Sequence, residues 1–433
     1  MSIWWAEVVA KTLFYTYFID ASVPMNGGAH IKTIVFIGSY KFGTSKEALM
    51  SAKEMGYYVV LFTDKTSNLN FLEVDQFVIM EHLLDEQLVM EEITKLKERG
   101  KQVCACISFI DPYVSYAAKL SNHLGLSQVS VESLGLMENK IAIREKLENL
   151  SITPFFTIFH PNDSPKEFKE KHKFSFPFIL KPPISNGSKD VLLVETTEKF
   201  VNALKLVQKK HPNSPLLIEE FIQGTQYLVE VLVYKSVIKF VGLVEQEVKY
   251  NGRFIVTGYK YPGLVDADEY SRLYACILSI IEQTGLSNGS CHIEMKLAQG
   301  HWKLIEINPR MSGGAMNRII EEGTGINLVK EILKVYLGEE PILIEQRKKH
   351  VYARYLTIGS RGKLLRVTGK ELALMHDGVK YVHIKPLEGR ILTTPYSMGN
   401  RYACIIAVSD TAEQAEASAI VAAKEIKFYL EPF

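Results

Sequence analysis

The segment CHIEMKLAQGHWKLIEINPR, residues 291–310, constrains this chain more than any other. Polar and apolar residues alternate on either side of Gln299–Gly300, a two-residue turn signal, so the stretch reads as a β-hairpin. Alternate side chains of a strand share a face. That sets Trp302, Leu304, Glu306 and Asn308 on one side, with Glu306 and Asn308 roughly 6.6 Å apart. A hairpin turning at Gln299–Gly300 brings Glu294 beside Glu306. Two carboxylates and an amide on one face are costly to bury without a cation, and oxygen ligands of this kind suit Mg²⁺. The competing reading is the solvated face of an amphipathic strand. Arg310 follows, and Met311-Ser312-Gly313-Gly314 supplies flexible backbone amides. An arginine fork beside free amides can receive a carboxylate or a phosphoryl oxygen; the bland alternative is a surface arginine capping a turn.

The rest of the chain is organised around this hairpin. KTIVFIG (32–38), the helix-patterned KEALMSAKEMG and YYVVLFTD (57–64) form a strand–helix–strand unit. VDQFVIM, a charged helix at 84–98, QVCACISFI and a helix near 113–123 continue the alternation. This predicts an open parallel α/β domain ending near residue 130. Gly38 and Gly43 flank its first loop without dinucleotide-fingerprint spacing, so a tight strand-to-helix turn is the better reading there, even with Asp64 closing the second strand. A helix is expected over about 137–150, then strands at FPFILKPP (176–183) and VLLVE (191–195), a helix at 196–210 and a strand at PLLIEEFI (215–222). QYLVEVLVYKSVIKFVGLVEQEV (226–248) reads as meandering antiparallel strands, with Asn251–Gly252 as a further turn. Residues 346–433 return to α+β patterning and are expected to end in a helix over 411–428.

Two lysines lie upstream of the hairpin. Lys181 ends the apolar run FPFIL, and an interior lysine in that position usually has an anionic partner. The glycine-containing loop SNGSKD (185–190) behind it, with Ser188, is small enough to fold over phosphates. Lys140 stands in a helix start, where a solvated lysine is the ordinary reading. In LLIEEFIQG, Glu219 and Glu220 with the Phe221–Ile222 backbone offer the acceptors and donors an adenine needs.

At about 150 residues per domain, 433 residues suggest three domains. Lys and Arg total 50 against 49 Asp and Glu, so there is no electrostatic case for nucleic acid or an anionic membrane as partner. Five cysteines, an odd number, argue against a disulfide framework and for a reducing, cytoplasmic setting. Cys104-Ala-Cys106 reads as core thiols and His292 as a strand-face histidine beside the metal site. Glu7, Lys11 and Asp20 interrupt the apolar opening segment, which fits neither a secretory signal nor a spanning helix. Residues 1–30 are expected to be an extension outside the first domain, with a helix packed on a partner subunit as the alternative.

Taken in order and spacing, Lys140, Lys181 with its glycine loop, Glu219-Glu220-Phe221-Ile222, Glu294 and Glu306-x-Asn308-x-Arg310 resemble the ATP-grasp carboxylate–amine ligases. The resemblance spans residues 31–433. It is most similar to the dipeptide-forming L-amino-acid ligases of bacilli, of the type taking methionine or leucine first and glycine or another small residue second. It implies an α/β and α+β architecture. Residues 31–130 would be a Rossmann-like pre-ATP-grasp domain and 131–225 a linker helix and lid. Residues 226–345 would be the large lobe with the metal and catalytic site, and 346–433 the lobe that completes it. The implied cofactors are ATP and two Mg²⁺ ions, or Mn²⁺ in their place; the implied partners are amino-acid substrates and, at most, a second copy of the chain as a homodimer.

The resemblance also implies roles. Lys140 and Lys181 would hold phosphates, Glu219 the adenine amino group, and the backbone of Phe221 and Ile222 the ring. Glu294, Glu306 and Asn308 would hold the metal ions, and Arg310 would stabilise charge on the acyl phosphate. Gly313 and Gly314 would flank the amine-donating substrate. Several residues depart from the family pattern: Gln226 stands in place of a ribose-binding glutamate, Asp190 in place of a glycine, and Asn139 in place of an aspartate. Val256 and Tyr259 stand where relatives carry a glutamate and a histidine near the first amino acid, which favours an apolar pocket. Two other readings stand beside this one: a different ATP-grasp ligase or carboxylase, biotin-carboxylase-like or purine-pathway, and a nucleotide-binding module without turnover.

Overall fold

The computed structural model describes residues 30–66, 72–126, 129–172, 175–185, 187 and 189–432. The expectations for residues 1–29 and for Ser188 lie outside them. The chain divides into two compact units, residues 1–129 with 336–339, and residues 130–335 with 340–433.

In the first unit, strands β1 (Ile31–Ile37), β2 (Tyr58–Thr63), β3 (Gln76–Ile79) and β4 (Lys101–Ile107) alternate with helices α1 (Thr44–Glu54), α2 (Glu86–Glu98) and α3 (Val114–His123). All pairings are parallel, in the order β3-β2-β1-β4. β-Branched and aromatic runs such as IVFI are buried on both faces because helices pack on both, as parallel sheets require. Gly38 ends β1 at φ 69°, and a Cβ there would lie 2.9 Å from Ile110 Cδ1, so the tight turn needs glycine. The Cys104-Ala-Cys106 expectation holds for Cys106, which is fully buried. Cys104 is not a core thiol: the ladder skips it between Val103 and Ala105, and this bulge leaves it half-buried.

The second unit opens with α4 (Val131–Glu138) and α5 (Lys140–Lys146). The single helix expected over 137–150 is instead two, split at Asn139, whose side chain accepts from the Ile141 and Ala142 amides and caps α5. Asparagine caps as well as aspartate, so this departure from the family pattern leaves the helix start intact. Strands β5 (Phe156–Phe159), β6 (Phe178–Lys181), β7 (Leu192–Val194) and β8 (Leu216–Glu220) form an antiparallel sheet in the order β5-β8-β6-β7. Helices α6 (Pro165–Lys171) and α7 (Thr197–Lys210) bury Phe168, Phe200 and Leu204 against it.

An eight-stranded antiparallel sheet follows, built from β9 (Thr225–Tyr234), β10 (Val237–Tyr250), β11 (Phe254–Tyr261), β12 (Gly289–Ala298), β13 (His301–Asn308), β14 (His350–Leu356), β16 (Val379–Ile384) and β18 (Ala403–Ser409). Its order is β13-β12-β9-β10-β11-β14-β18-β16. The stretch read as meandering strands turns at Lys235–Ser236, both at positive φ (50° and 61°). Helices α8 (Ala267–Thr284), α9 (Met316–Thr324), α10 (Leu328–Tyr336) and α12 (Ala412–Ala423) accompany the sheet, with α12 packed on β14 and β18. A small third sheet joins β15 (Gly362–Thr368), β17 (Ile391–Leu392) and β19 (Lys427–Pro432), and α11 (Lys370–Leu374) lies between β15 and β16 in the chain.

The helix expected over 411–428 stops at Ala423, because Phe428 and Leu430 pack on the small core of Ile358, Leu364, Leu392 and Tyr402 as β19 pairs with β15. Local alanine-rich propensity loses to tertiary pairing there.

Candidate active site

The hairpin expected over residues 291–310 forms, but its register skips Ile305, and this bulge breaks the strict alternation that put Trp302 and Leu304 on the face of Glu306 and Asn308. β12 and β13 pair antiparallel across a turn at Gln299 (φ 51°) and Gly300 (φ 75°), and Glu294 stands opposite Glu306. Two half-buried carboxylates face each other. Burial, and then Glu306 beside it, push the Glu294 carboxyl above its usual range. Burial opposes the charge of Glu306 as well, but Lys140 and Lys181 hold its carboxyl below the usual range. Lys140 Nζ lies 3.3 Å from Glu306 Oε1 and donates to the Ser185 carbonyl at 2.8 Å. The helix-start lysine is therefore buried and paired rather than solvated.

Asn308 lies beside the two acids. Its Nδ2 donates to Glu306 Oε1 (3.1 Å) and lies 3.2 Å from His292 Nε2, while His292 Nδ1 lies 2.8 Å from the Arg310 carbonyl. An Nδ1–H imidazole satisfies both contacts, and it turns the Asn308 amide so that Oδ1 is left for a ligand. His292, expected only as a strand-face histidine, touches Asn308 directly. Among the described residues no group of three or more His, Cys, Asp or Glu is arranged to hold a metal ion. The candidate set is instead two carboxylates and an amide. An acid held neutral only by burial and the negative neighbour it faces is a place where a divalent cation fits, since the ion would satisfy both carboxylates at once.

Lys181 and Glu219 are brought together. Lys181 Nζ lies 2.5 Å from Glu219 Oε2, and Arg144 Nε lies 2.5 Å from Glu219 Oε1. All three side chains are buried, and Arg144 also donates to the Leu304 and Ile305 carbonyls of β13 at 3.0 and 2.7 Å. The expectation that Glu219 presents an open acceptor to adenine is corrected on this point: both of its oxygens are engaged by cations. Burial depresses the Lys181 amine and is only partly offset by Glu219. Alternation along β8 puts Glu220 on the exposed side, where it accepts from the Phe155 amide at 3.0 Å. The Ile222 carbonyl is taken by Lys296 Nζ at 2.9 Å, and that ammonium lies 5.2 Å from the Phe221 ring centroid. Gln226 Nε2 donates to Gln246 Oε1 (2.8 Å) and to Glu294 Oε2 (3.2 Å), so it buttresses the acid. Asp190 ties the end of the glycine loop to the last turn of α7 through Lys210 at 2.6 Å.

Past β13, Arg310 Nη1 donates to the Met311 carbonyl at 3.2 Å, Gly313 borders open space, and Gly314 sits at φ 76°. Val256 and Tyr259 of β11 are both buried, with a cation beside them. Arg401 lies 4.0 Å over the Tyr355 ring and 5.8 Å from that of Tyr259, with Nη1 3.5 Å from the Val256 carbonyl.

Sequence reasoning passed over Arg144, Gln246, Glu230 and Arg401. Arg144 was findable one helical turn after Lys140, and Glu230 as a lone acid within the apolar run YLVEVLVY. Glu230 is fully buried and accepts from the Ser312 amide at 3.0 Å; burial pushes its carboxyl up to about 7. No local pattern marks Arg401, because strands far apart in the chain create its surroundings.

Residues 174–318 match the ATP-grasp domain, residues 49–127 the ATP-grasp N-terminal domain, and residues 354–431 the L-amino acid ligase C-terminal domain 2. The fold superposes on the crystal structure of an L-amino acid ligase from Bacillus licheniformis with a TM-score of 0.79 at 19% identity, covering 93% of this chain and 100% of that one. The chain thus has the ATP-grasp fold, with an N-terminal domain and a C-terminal subdomain.

Two curated relatives are similar at lower coverage. Dapdiamide A synthase of Enterobacter agglomerans is 25% identical over 54% of this chain and 58% of its own length. The L-arginine-specific L-amino acid ligase of Bacillus subtilis is 23% identical over 60% of this chain and 67% of its own. The chain spans little more than half the length of the first curated relatives it matches. Among the described residues no helix is long and apolar enough to cross a membrane.

Proposed function

We propose that the chain is an ATP-dependent L-amino-acid ligase that joins two amino acids through an acyl phosphate. The observation that carries this reading is the half-buried, mutually facing Glu294–Glu306 pair with Asn308 beside it and Lys140 on Glu306. Such a site suits a divalent cation and lies next to lysines suited to phosphates. Mg²⁺ held by Glu294, Glu306 and Asn308 would neutralise the polyphosphate and draw electrons from the phosphorus under attack. The carboxylate of the first amino acid attacks the γ-phosphate, releasing ADP. The amine of the second then displaces phosphate to form the amide.

Lys140 and Lys181, now paired with Glu306 and Glu219, exchange those partners in part for phosphate oxygens. Positioning and charge neutralisation supply most of the acceleration in phosphoryl transfer. Arg310, at the end of β13 and followed by open backbone, faces the charge that develops on the acyl phosphate and the tetrahedral intermediate.

Substrate choice follows from what surrounds Val256 and Tyr259. The aromatic rings of Tyr259 and Tyr355 suit an elongated apolar side chain, and a charged one would be desolvated there. Methionine or leucine is therefore the expected first residue, and glycine or another small residue the second, beside Gly313 and Gly314. At ~0.8 kcal/mol per buried methylene, methionine should outcompete alanine by roughly tenfold or more. Phosphate release and peptide formation with all twenty amino acids, singly and with glycine, test the proposal. A marked preference for aspartate, glutamate, lysine or arginine as first residue would refute the specificity, and the absence of amino-acid-dependent phosphate release would refute the activity.

A further inference from the structure

Arg401 is a charged group without a charged partner. No described carboxylate pairs with its guanidinium, which rests on the faces of Tyr355 (4.0 Å) and Tyr259 (5.8 Å). Its Nε is buried with no hydrogen-bond partner, and its sole carbonyl contact, Val256 O, is long at 3.5 Å. Elsewhere in this unit buried cations are compensated: Arg144 and Lys181 share Glu219, and Lys140 reaches Glu306. Leaving a guanidinium out of water beside two phenol rings costs free energy that an incoming anion would recover, most effectively a carboxylate matching its planar fork.

The position narrows which carboxylate that is. A Cβ built on Gly314 would lie 3.5 Å from Arg401 Nη2 and 3.2 Å from the Tyr355 hydroxyl, so the guanidinium borders the backbone that follows Arg310. Accepting the ligase reading, the first amino acid's carboxylate is consumed at the phosphate, where Arg310 attends it. The amine donor alone keeps its carboxylate as an anion through both steps. We propose that Arg401 binds the free α-carboxylate of the amine-donating amino acid, and so makes the enzyme require an acceptor with a free carboxyl end.

The test uses the full chain with ATP, Mg²⁺ and L-methionine, and three nucleophiles: glycine, glycinamide and hydroxylamine. Hydroxylamine carries no carboxylate and traps an acyl phosphate as a hydroxamate, so it reports the first half of the reaction alone. The wild type should use glycine at least tenfold more efficiently than glycinamide. In Arg401→Met the KM for glycine should rise tenfold or more and the preference over glycinamide should collapse towards one. Hydroxamate formation should stay within about threefold of wild type. Arg401→Lys should keep part of the preference.

Four results overturn the assignment. The first, readable without any variant, is a wild type indifferent between glycine and glycinamide. The second is an Arg401→Met enzyme that keeps the glycine preference. The third is a folded Arg401→Met enzyme, with an unchanged melting temperature, that loses hydroxamate formation as well; that places the arginine on the first substrate. The fourth is a wild type that forms a hydroxamate from none of the twenty amino acids, which overturns the ligase reading and this proposal together.

Discussion

At the scale of single residues, the site is built from charges whose partners are other members of the site. Glu306→Gln removes one carboxylate from the facing pair and the anchor of Lys140, and should abolish ATP turnover while leaving the circular-dichroism spectrum unchanged. Phosphate release at saturating Mg²⁺ measures this, and wild-type rates would rule out the two-carboxylate metal site. Arg310→Ala should lower turnover about 100-fold, as loss of an oxyanion donor does, with little change in ATP affinity by calorimetry. Glu230 supports a pH prediction. Its carboxyl stands near pH 7 in the folded chain against an ordinary value near 4.5, chiefly through burial. The folded state therefore holds a proton that the unfolded state releases between about pH 4.5 and 7. Stability is lost as pH rises through that window, by ~3 kcal/mol at most for this one group. Glu230→Gln keeps an acceptor for the Ser312 amide and removes the charge. The variant's melting temperature relative to wild type should be higher at pH 8 than at pH 5, and an equal difference at both pH values would contradict a proton held on Glu230 by burial.

At the scale of elements, strand pairing decides what each local pattern becomes. The hairpin β12–β13 was legible because its turn and most of its alternation are local, while the bulge at Ile305 appears only in the pairing with β12. The α12–β19 boundary was not, because nothing within 411–428 records that β15 waits to pair with residues 427–432. Gly369 makes that arrangement possible. It caps α11 at φ 90°, and a Cβ there would lie 2.0 Å from the Glu425 backbone carbonyl, between α12 and β19. Gly369→Ala incurs both the left-handed backbone penalty and a clash with main chain. It should destabilise by more than ~2 kcal/mol, read as a lower melting temperature and faster proteolysis within 362–432.

At the scale of the whole molecule, nucleotide and metal should act as one ligand. If ATP is held through a cation between Glu294 and Glu306, ATP with Mg²⁺ at 100 times its Kd should stabilise the chain by about 2.7 kcal/mol. Removing Mg²⁺ with EDTA should remove most of the shift, and in Glu306→Gln the Mg²⁺-dependent part should vanish. A full shift with ATP in EDTA would place the nucleotide away from this carboxylate pair.

The sequence alone determined the parallel first domain, the hairpin carrying Glu294, Glu306 and Asn308, and the family resemblance, because each rests on periodicity or spacing within a short stretch. Only the tertiary structure decided what the ionisable groups do. Glu219 turned from a free acceptor into the centre of an Arg144–Lys181 cluster once β6, β8 and α5 met. Lys140 became a buried partner of Glu306. Arg401 became an uncompensated cation beside Gly314 once β11, β14 and the 397–401 turn came together. A charge reads the field of every group around it, and that field is assembled from strands the sequence separates, so it exists only after folding.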